Sequence, residues 1–240
     1  MAAAAGATAT SPDSLGRLAA EIVDCRRCPR LVEWRERVAA DPPKRYRGEG
    51  YWARPLPGFG DPGAPIVVVG LAPAAHGGNR TGRFFTGDRS GDWLFAAMHR
   101  AGLANQPASE HRDDGLRLEG AYVTAVNRCP PPGNRPTPAE RDNCLPYLVR
   151  ELRLLDARVL VALGSFAWEN SLRALAELGA AIPRPRPRFG HGAELELELG
   201  ERPLALVGCF HPSQQNTFPG KLTEPMMDAV FARARRLAGI

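Results

Sequence analysis

Four cysteines carry the clearest chemical signal in this chain. Cys25 and Cys28 form a C-x2-C pair, and Cys129 and Cys144 lie far downstream, each among basic residues and prolines. Thiolates are soft ligands. Four of them drawn from two distant segments read as a metal centre that ties an N-terminal arm to the body of a domain. Zinc and an iron–sulfur cluster both suit such a donor set. The first ten residues are Ala/Thr-rich and lack a basic leader region, so the reading is a cytoplasmic protein, in which spaced cysteines favour metal over disulfides. Cys209 follows the apolar run 204–208 and reads as a small buried hydrophobe.

Three loops hold most of the remaining polar chemistry. Residues 71–91 are rich in glycine, which lets backbone amides approach a ligand closely. This loop has neither G-x-x-x-x-G-K-[ST] nor G-x-G-x-x-G, so a nucleotide-phosphate cradle is not indicated. It does carry Phe84 and Phe85, and Asp88 near its end. Asp92 is the better-placed helix cap, which leaves Asp88 for function. The loop at 127–137 contains Asn127, Asn134 and Arg135, and the loop at 209–221 opens with His211 directly after an apolar run. A basic segment, Pro183–Arg188, alternates proline and arginine and reads either as a solvated loop or as a phosphate contact.

These loops need a scaffold, and the pattern supplies one. Ser14–Val23 reads as an amphipathic helix that delivers Cys25, and 42–65 as a long Pro/Gly-rich arm. Ile66–Gly70 is a continuous apolar run of the kind found in buried parallel strands. Strands are also expected at 121–126, 158–163 and 204–208, and a half-exposed one at 194–199 where Glu and Leu alternate. Helices are expected at about 92–101, from Thr137 to about Leu155, over 165–178 and from Thr223 onward. Thr137-Pro138-Ala139-Glu140 has the form of a capping box with proline at the first helical position. Alternating strands and helices predict an α/β fold, a three-layer α/β/α sandwich around a central, mainly parallel sheet of four strands. Residues 1–14 read as a disordered tail and 15–240 as one domain. In such folds ligands sit at the carboxyl ends of the strands, where all three loops emerge.

Taken together, the motifs resemble a known family. G-L-A-P-A-A-H-G-G-N-R-T-G-R-F-F-T-G-D at 70–88, R-C-P-P-P-G-N-R-P-T-P at 128–138 and H-P-S-Q-Q-N-T-F-P-G-K at 211–221 are similar to the signature segments of the family 5 uracil-DNA glycosylases. The likeness runs from about residue 15 to 239. It implies a monofunctional DNA-repair hydrolase that flips a damaged base from double-stranded DNA and cleaves its N-glycosidic bond. It implies that Cys25, Cys28, Cys129 and Cys144 hold a structural [4Fe–4S] cluster. By the same resemblance Phe85 stacks on the base, and Ala75 and His76 contact it. Asp88 is the carboxylate near the sugar, with Asn134 associated with it, and His211 donates to the base oxygen that gains charge. Gln214, Gln215 and Asn216 would fill the gap left by flipping, and Arg80, Arg83, Arg135 and Lys221 would meet phosphates. Relative to the family 4 enzymes, Leu71 stands where they carry a Glu, and Ala125 where they carry an Asn that reads uracil. Loss of that polar reader implies relaxed selectivity, reaching hypoxanthine and modified pyrimidines.

The competing readings are a non-catalytic four-cysteine module, with zinc as its metal, that binds nucleic acid, and an iron–sulfur redox protein. The net charge of +5 fits a nucleic-acid partner without demanding one. No apolar run approaches the ~20 residues of a membrane span, and a monomer is the simple expectation.

Overall fold

The computed structural model describes residues 12–240. Most of the expected tail therefore lies outside the described residues. At its end, however, Ser14 caps the first helix by accepting from the Arg17 amide, and Asp13 pairs with Arg150 at 2.7 Å.

Helices α1 (Leu15–Val23) and α2 (Pro29–Ala40) form the N-terminal arm, followed by the irregular segment 41–65. Strands β1 (Phe59–Gly60), β2 (Ile66–Gly70), β3 (Ala121–Ala125), β4 (Val159–Leu163), β5 (Glu194–Leu199) and β6 (Arg202–Cys209) make one sheet in the order β1-β3-β2-β4-β6-β5. The four central strands are parallel, as expected. The sheet has six strands rather than four because β1 and β5 add antiparallel edges. The remaining helices are α3 (Gly78–Thr81), α4 (Arg89–Arg100), α5 (Pro138–Leu154), α6 (Ser165–Glu177), α7 (Gln214–Thr217) and α8 (Glu224–Ala238).

The three layers follow from side-chain alternation. On β2, Ile66 and Val68 join an apolar core with Leu94 and Phe95 of α4 and Val230 and Phe231 of α8. Val67 and Val69 join the opposite core with Leu148 and Leu152 of α5 and Trp168 and Leu172 of α6. Strand β4 divides in the same way, which buries every residue of both strands and explains their unbroken apolar sequence. Cys209 is fully buried in the first core, as read from the sequence.

Helix α5 begins with the expected capping box: Thr137 Oγ1 accepts from the Glu140 amide, and Glu140 Oε2 accepts from the Thr137 amide at 2.7 Å. Two features escape the sequence pattern. Helix α2 was not expected. Helix α4 starts at Arg89, and its N-cap is Asp88, not Asp92.

Candidate active site and metal centre

The candidate active site is built where β2 and β6 end. Gly70, the last residue of β2, lies under the Phe85 ring: a Cβ at Gly70 would stand 2.7 Å from Phe85 Cζ. Phe85 itself has φ +54°, a strained conformation for an aromatic residue. Gly91 permits it, since a Cβ there would meet the Phe85 carbonyl oxygen at 1.8 Å. The ring faces His211, at the exit of β6, with centroids 5.9 Å apart.

Asp88 is tied into the same knot. Its Oδ1 accepts from the Gly91 amide at 3.0 Å, and its Oδ2 is packed against Gly77, where a Cβ would lie only 2.0 Å away. Burial pushes the Asp88 carboxyl above its ordinary range, and the amides at the start of α4 only partly offset this. Burial also pulls the His211 imidazole down to about 4, so that it is neutral at physiological pH and keeps one N–H to donate. Gly77 is adjacent to Ala75 and His76, which brings the expected base-contacting backbone beside the carboxylate. Tyr51 Oη and His76 Nδ1 are hydrogen-bonded at 2.9 Å, and Tyr46 stacks on the imidazole. Neither tyrosine was anticipated. Ala125, paired with Gly70 across the sheet, is fully buried in the same core as Phe85 and offers no polar edge.

Other expected site residues separate into two groups. Asn134 (φ +56°), Arg135, Gln214, Gln215 and Lys221 are exposed. Lys221 rests its ammonium 4.8 Å from the Phe210 ring centroid. The Asn134 side chain makes no hydrogen bond among the described residues, to Asp88 or otherwise. Asn216 turns inward and donates to the His211 carbonyl at 2.8 Å.

Arg80 and Arg83, expected at phosphates, both direct their guanidiniums to partners inside the protein. Arg83 is buried and bonds Asp114, Ser109, Thr86 and the Arg112 carbonyl; it holds the Asp114 carboxyl at about 2. Arg80 binds Glu49 and the carbonyls of His76 and Gly87, bracing the first loop at both ends. Asn127 is buried and donates to the Glu140 carbonyl at 3.1 Å, which ties the second loop to the first turn of α5.

The cysteines form a corner between the arm and the second loop. Cys28 is the N-cap of α2, Cys129 follows β3, and Cys144 is buried on α5. Two of the four sulfurs have a hydrogen-bond donor. Arg35 Nη1 reaches Cys129 Sγ at 3.0 Å and Asn143 Nδ2 reaches Cys28 Sγ at 3.5 Å. Cys25 packs against the small apolar cluster of Leu18, Ile22 and Tyr147. As free thiols they are poorly placed: burial pushes Cys129 up to about 12 and Cys144 up to about 11. Arg35 is 2% exposed; its guanidinium hydrogen-bonds Cys129 Sγ and the Cys25 carbonyl and, among the described residues, makes no ion pair with a carboxylate. A buried cation in that position calls for negative charge on the sulfurs. Among the described residues, no three His, Cys, Asp or Glu side chains are grouped to hold a single metal ion.

Sequence reasoning missed Arg35. The available signal was its place in the buried stripe Leu31, Val32, Arg35, Val38 of α2, where helical spacing calls for an apolar residue. Arg35 also links the two regions. Its carbonyl accepts from Asn79 Nδ2, which reaches the Ala75 carbonyl as well, both at 3.4 Å.

An α/β sandwich with an aromatic ring, a carboxylate and a neutral histidine at its strand ends defines a class, and the comparisons identify it. Residues 57–235 match the model of the uracil DNA glycosylase superfamily. The type-5 uracil-DNA glycosylase of Mycobacterium tuberculosis is 54% identical over 229 residues, 95% of this chain and 83% of the relative. That of Thermus thermophilus is 50% identical over 217 residues, 90% of this chain and 94% of the relative. A type-4 uracil-DNA glycosylase from Archaeoglobus fulgidus is more distant, 32% identical over 66% of this chain and 70% of the relative. The chain belongs to the uracil-DNA glycosylase superfamily and, within it, to the type-5 group.

Proposed function

We propose that this chain is a monofunctional DNA glycosylase that extrudes uracil from duplex DNA and hydrolyses its N-glycosidic bond, leaving an abasic site. The observation that carries the reading is the convergence of Phe85, Asp88 and His211 around Gly70, Gly77 and Gly91. Cleavage develops positive charge on the sugar and negative charge on the base. The Asp88 carboxylate, kept short of solvent, is the group for the cationic sugar or for the water that attacks it. The neutral His211 is the donor for the base oxygen. It supplies a hydrogen bond without a formal charge that a buried site would have to solvate. Asn134, exposed on its turn, is the polar group assigned to the sugar or the water once DNA is bound. The exposed Gln214 and Gln215 are assigned to the gap in the duplex, and Arg135 and Lys221 to phosphates.

With apolar Ala125 in the core behind Phe85, no buried polar partner is left unpaired by a different base. The reading therefore extends to hypoxanthine and modified pyrimidines. Release of uracil and hypoxanthine from duplexes, read as alkali-labile breaks, tests both levels. Release of uracil alone would keep the enzyme class and refute the wide pocket. Release of neither by folded protein would favour a non-catalytic binding module.

The cysteine corner suits a [4Fe–4S] cluster held by Cys25, Cys28, Cys129 and Cys144. Two sulfurs met by donors, beside a buried Arg35 that forms no ion pair among the described residues, fit an anionic thiolate assembly. When bound, the cluster would cross-link the arm to the second loop, and hydrolysis asks no electron of it. Iron and sulfide analysis with the visible spectrum decides this: a colourless protein with one zinc per chain would overturn the cluster.

A further inference from the structure

The Pro183–Arg188 segment has no part in the site described so far. It leads from α6 toward β5. Because β5 is antiparallel to β6 and opens opposite Val207, this path ends at the carboxyl end of the sheet, beside the active site. Three prolines among six residues restrict the backbone in advance of any binding.

The upper end of the segment is fastened. Buried Trp168 donates its indole N–H to the Pro187 carbonyl at 3.0 Å. The Phe189 ring lies 6.3 Å from Trp168 and 6.1 Å from Phe210. His191 stacks on Phe210 at 5.0 Å, and its Nδ1 accepts from the Phe210 amide. Phe210 is the residue before His211. The strap is thus locked, through aromatic rings, to the loop carrying the base-polarising histidine.

Arg184, Arg186 and Arg188 are exposed, and none has a hydrogen bond, ion pair or ring contact among the described residues. By contrast Arg26, Arg100, Arg150, Arg202 and Arg233 each pair with a carboxylate. Arg186 and Arg188 line a groove with Arg141 and Arg173, where Glu169 is the one acidic residue on the walls. A planar guanidinium with no internal acid is matched to phosphate, and a strap already stiffened by proline loses little freedom on binding.

We propose that Arg186 and Arg188 contact the DNA backbone flanking the lesion, extending the footprint past the flipped nucleotide. The partner follows from the glycosylase reading. The test is the Arg186→Gln/Arg188→Gln variant, with binding to an undamaged duplex measured across a salt series. The slope of log K against log salt should become shallower by about 1.8, some 0.9 for each lost phosphate contact. Uracil release in a single turnover at saturating duplex should be unchanged. An unaltered slope would overturn the proposal, and so would a loss of release at saturation, which would place these arginines in the active site or the fold. If wild-type protein released no base, the glycosylase reading would fail on its own, while the salt slope would still decide the strap.

Discussion

The cysteine corner and the base site lie at the same end of one sheet and are built on opposite terms. In the corner Cys28 and Cys129 each accept a hydrogen bond, and carboxylates are clamped by arginines: half-exposed Arg30 holds Glu140 through two bonds of 2.7 Å, and Arg128 holds Glu151, both 1% exposed. In the base site Phe85 is strained, a carboxyl is held above its ordinary range, and an imidazole is held below its own. One region stabilises the fold, and the other draws on that stability. Perturbing each should therefore separate activity from stability.

The widest separation is expected from Asp88→Asn. Asparagine caps a helix as well as aspartate does, so α4 keeps its start. Because the folded carboxyl is raised, its ionised form is disfavoured in the fold at neutral pH, and removing the charge removes that cost. Base release should fall on the order of 10²–10³-fold, as for loss of one electrostatic contact to the transition state, with a Tm equal to or above wild type. A Tm clearly below wild type would break the contrast.

Cys129→Ser should do the reverse. It leaves Arg35 buried without its anionic partner, a cost on the order of 3–5 kcal/mol, visible in chemical denaturation. On the proposed cluster, treatment with a chelator should lower Tm in the same direction. Release by the fraction still folded should fall far less than in Asp88→Asn.

Gly91→Ala is intermediate because Gly91 underlies both Phe85 and Asp88. A methyl 1.8 Å from a carbonyl oxygen cannot be accommodated without moving that backbone. A loss of about 1–3 kcal/mol is expected, with release reduced alongside it. An unchanged crystal position of Phe85 would show that the fit is looser than it looks.

The smallest effect is one of pH. The folded His211 sits at about 4, below its unfolded value near 6.5. As pH falls from about 6.5 toward 4, the unfolded chain takes up a proton that the folded chain refuses, so this residue costs stability at acid pH and nothing above neutrality. His211→Gln should flatten that part of the stability curve. Catalysis in the wild type should show no loss attributable to His211 between about pH 5 and 8. A rate step near 6.5 would mean that the imidazole titrates freely.

Strands and capped helices were legible because their signals are local. Ile66–Gly70 announces a buried strand, and Thr137 to Glu140 announces a helix start. The misreadings have physical causes. The start of α4 was placed late because Arg89-Ser90-Gly91 looks like a poor helix turn. The glycine is there for the Phe85 carbonyl, which only the folded chain brings over it. Arg80 and Arg83 looked like surface charge because nothing local reveals that Glu49 and Asp114 lie opposite them. Helix α2 was hidden by the cysteines in front of it and by Arg35 within its apolar stripe. The site residues came from motifs, and propensity alone would have identified none of them.

The Arg30–Glu140 clamp has a consequence for how the chain is made. Its partners are 110 residues apart, and the two pairs of cysteines are divided across a similar stretch. On the ribosome the arm with Cys25, Cys28 and Arg30 emerges well before Glu140 and the helix α5 that completes its clamp. The arm therefore waits for its clamp, with its thiols open to cellular chemistry throughout the interval.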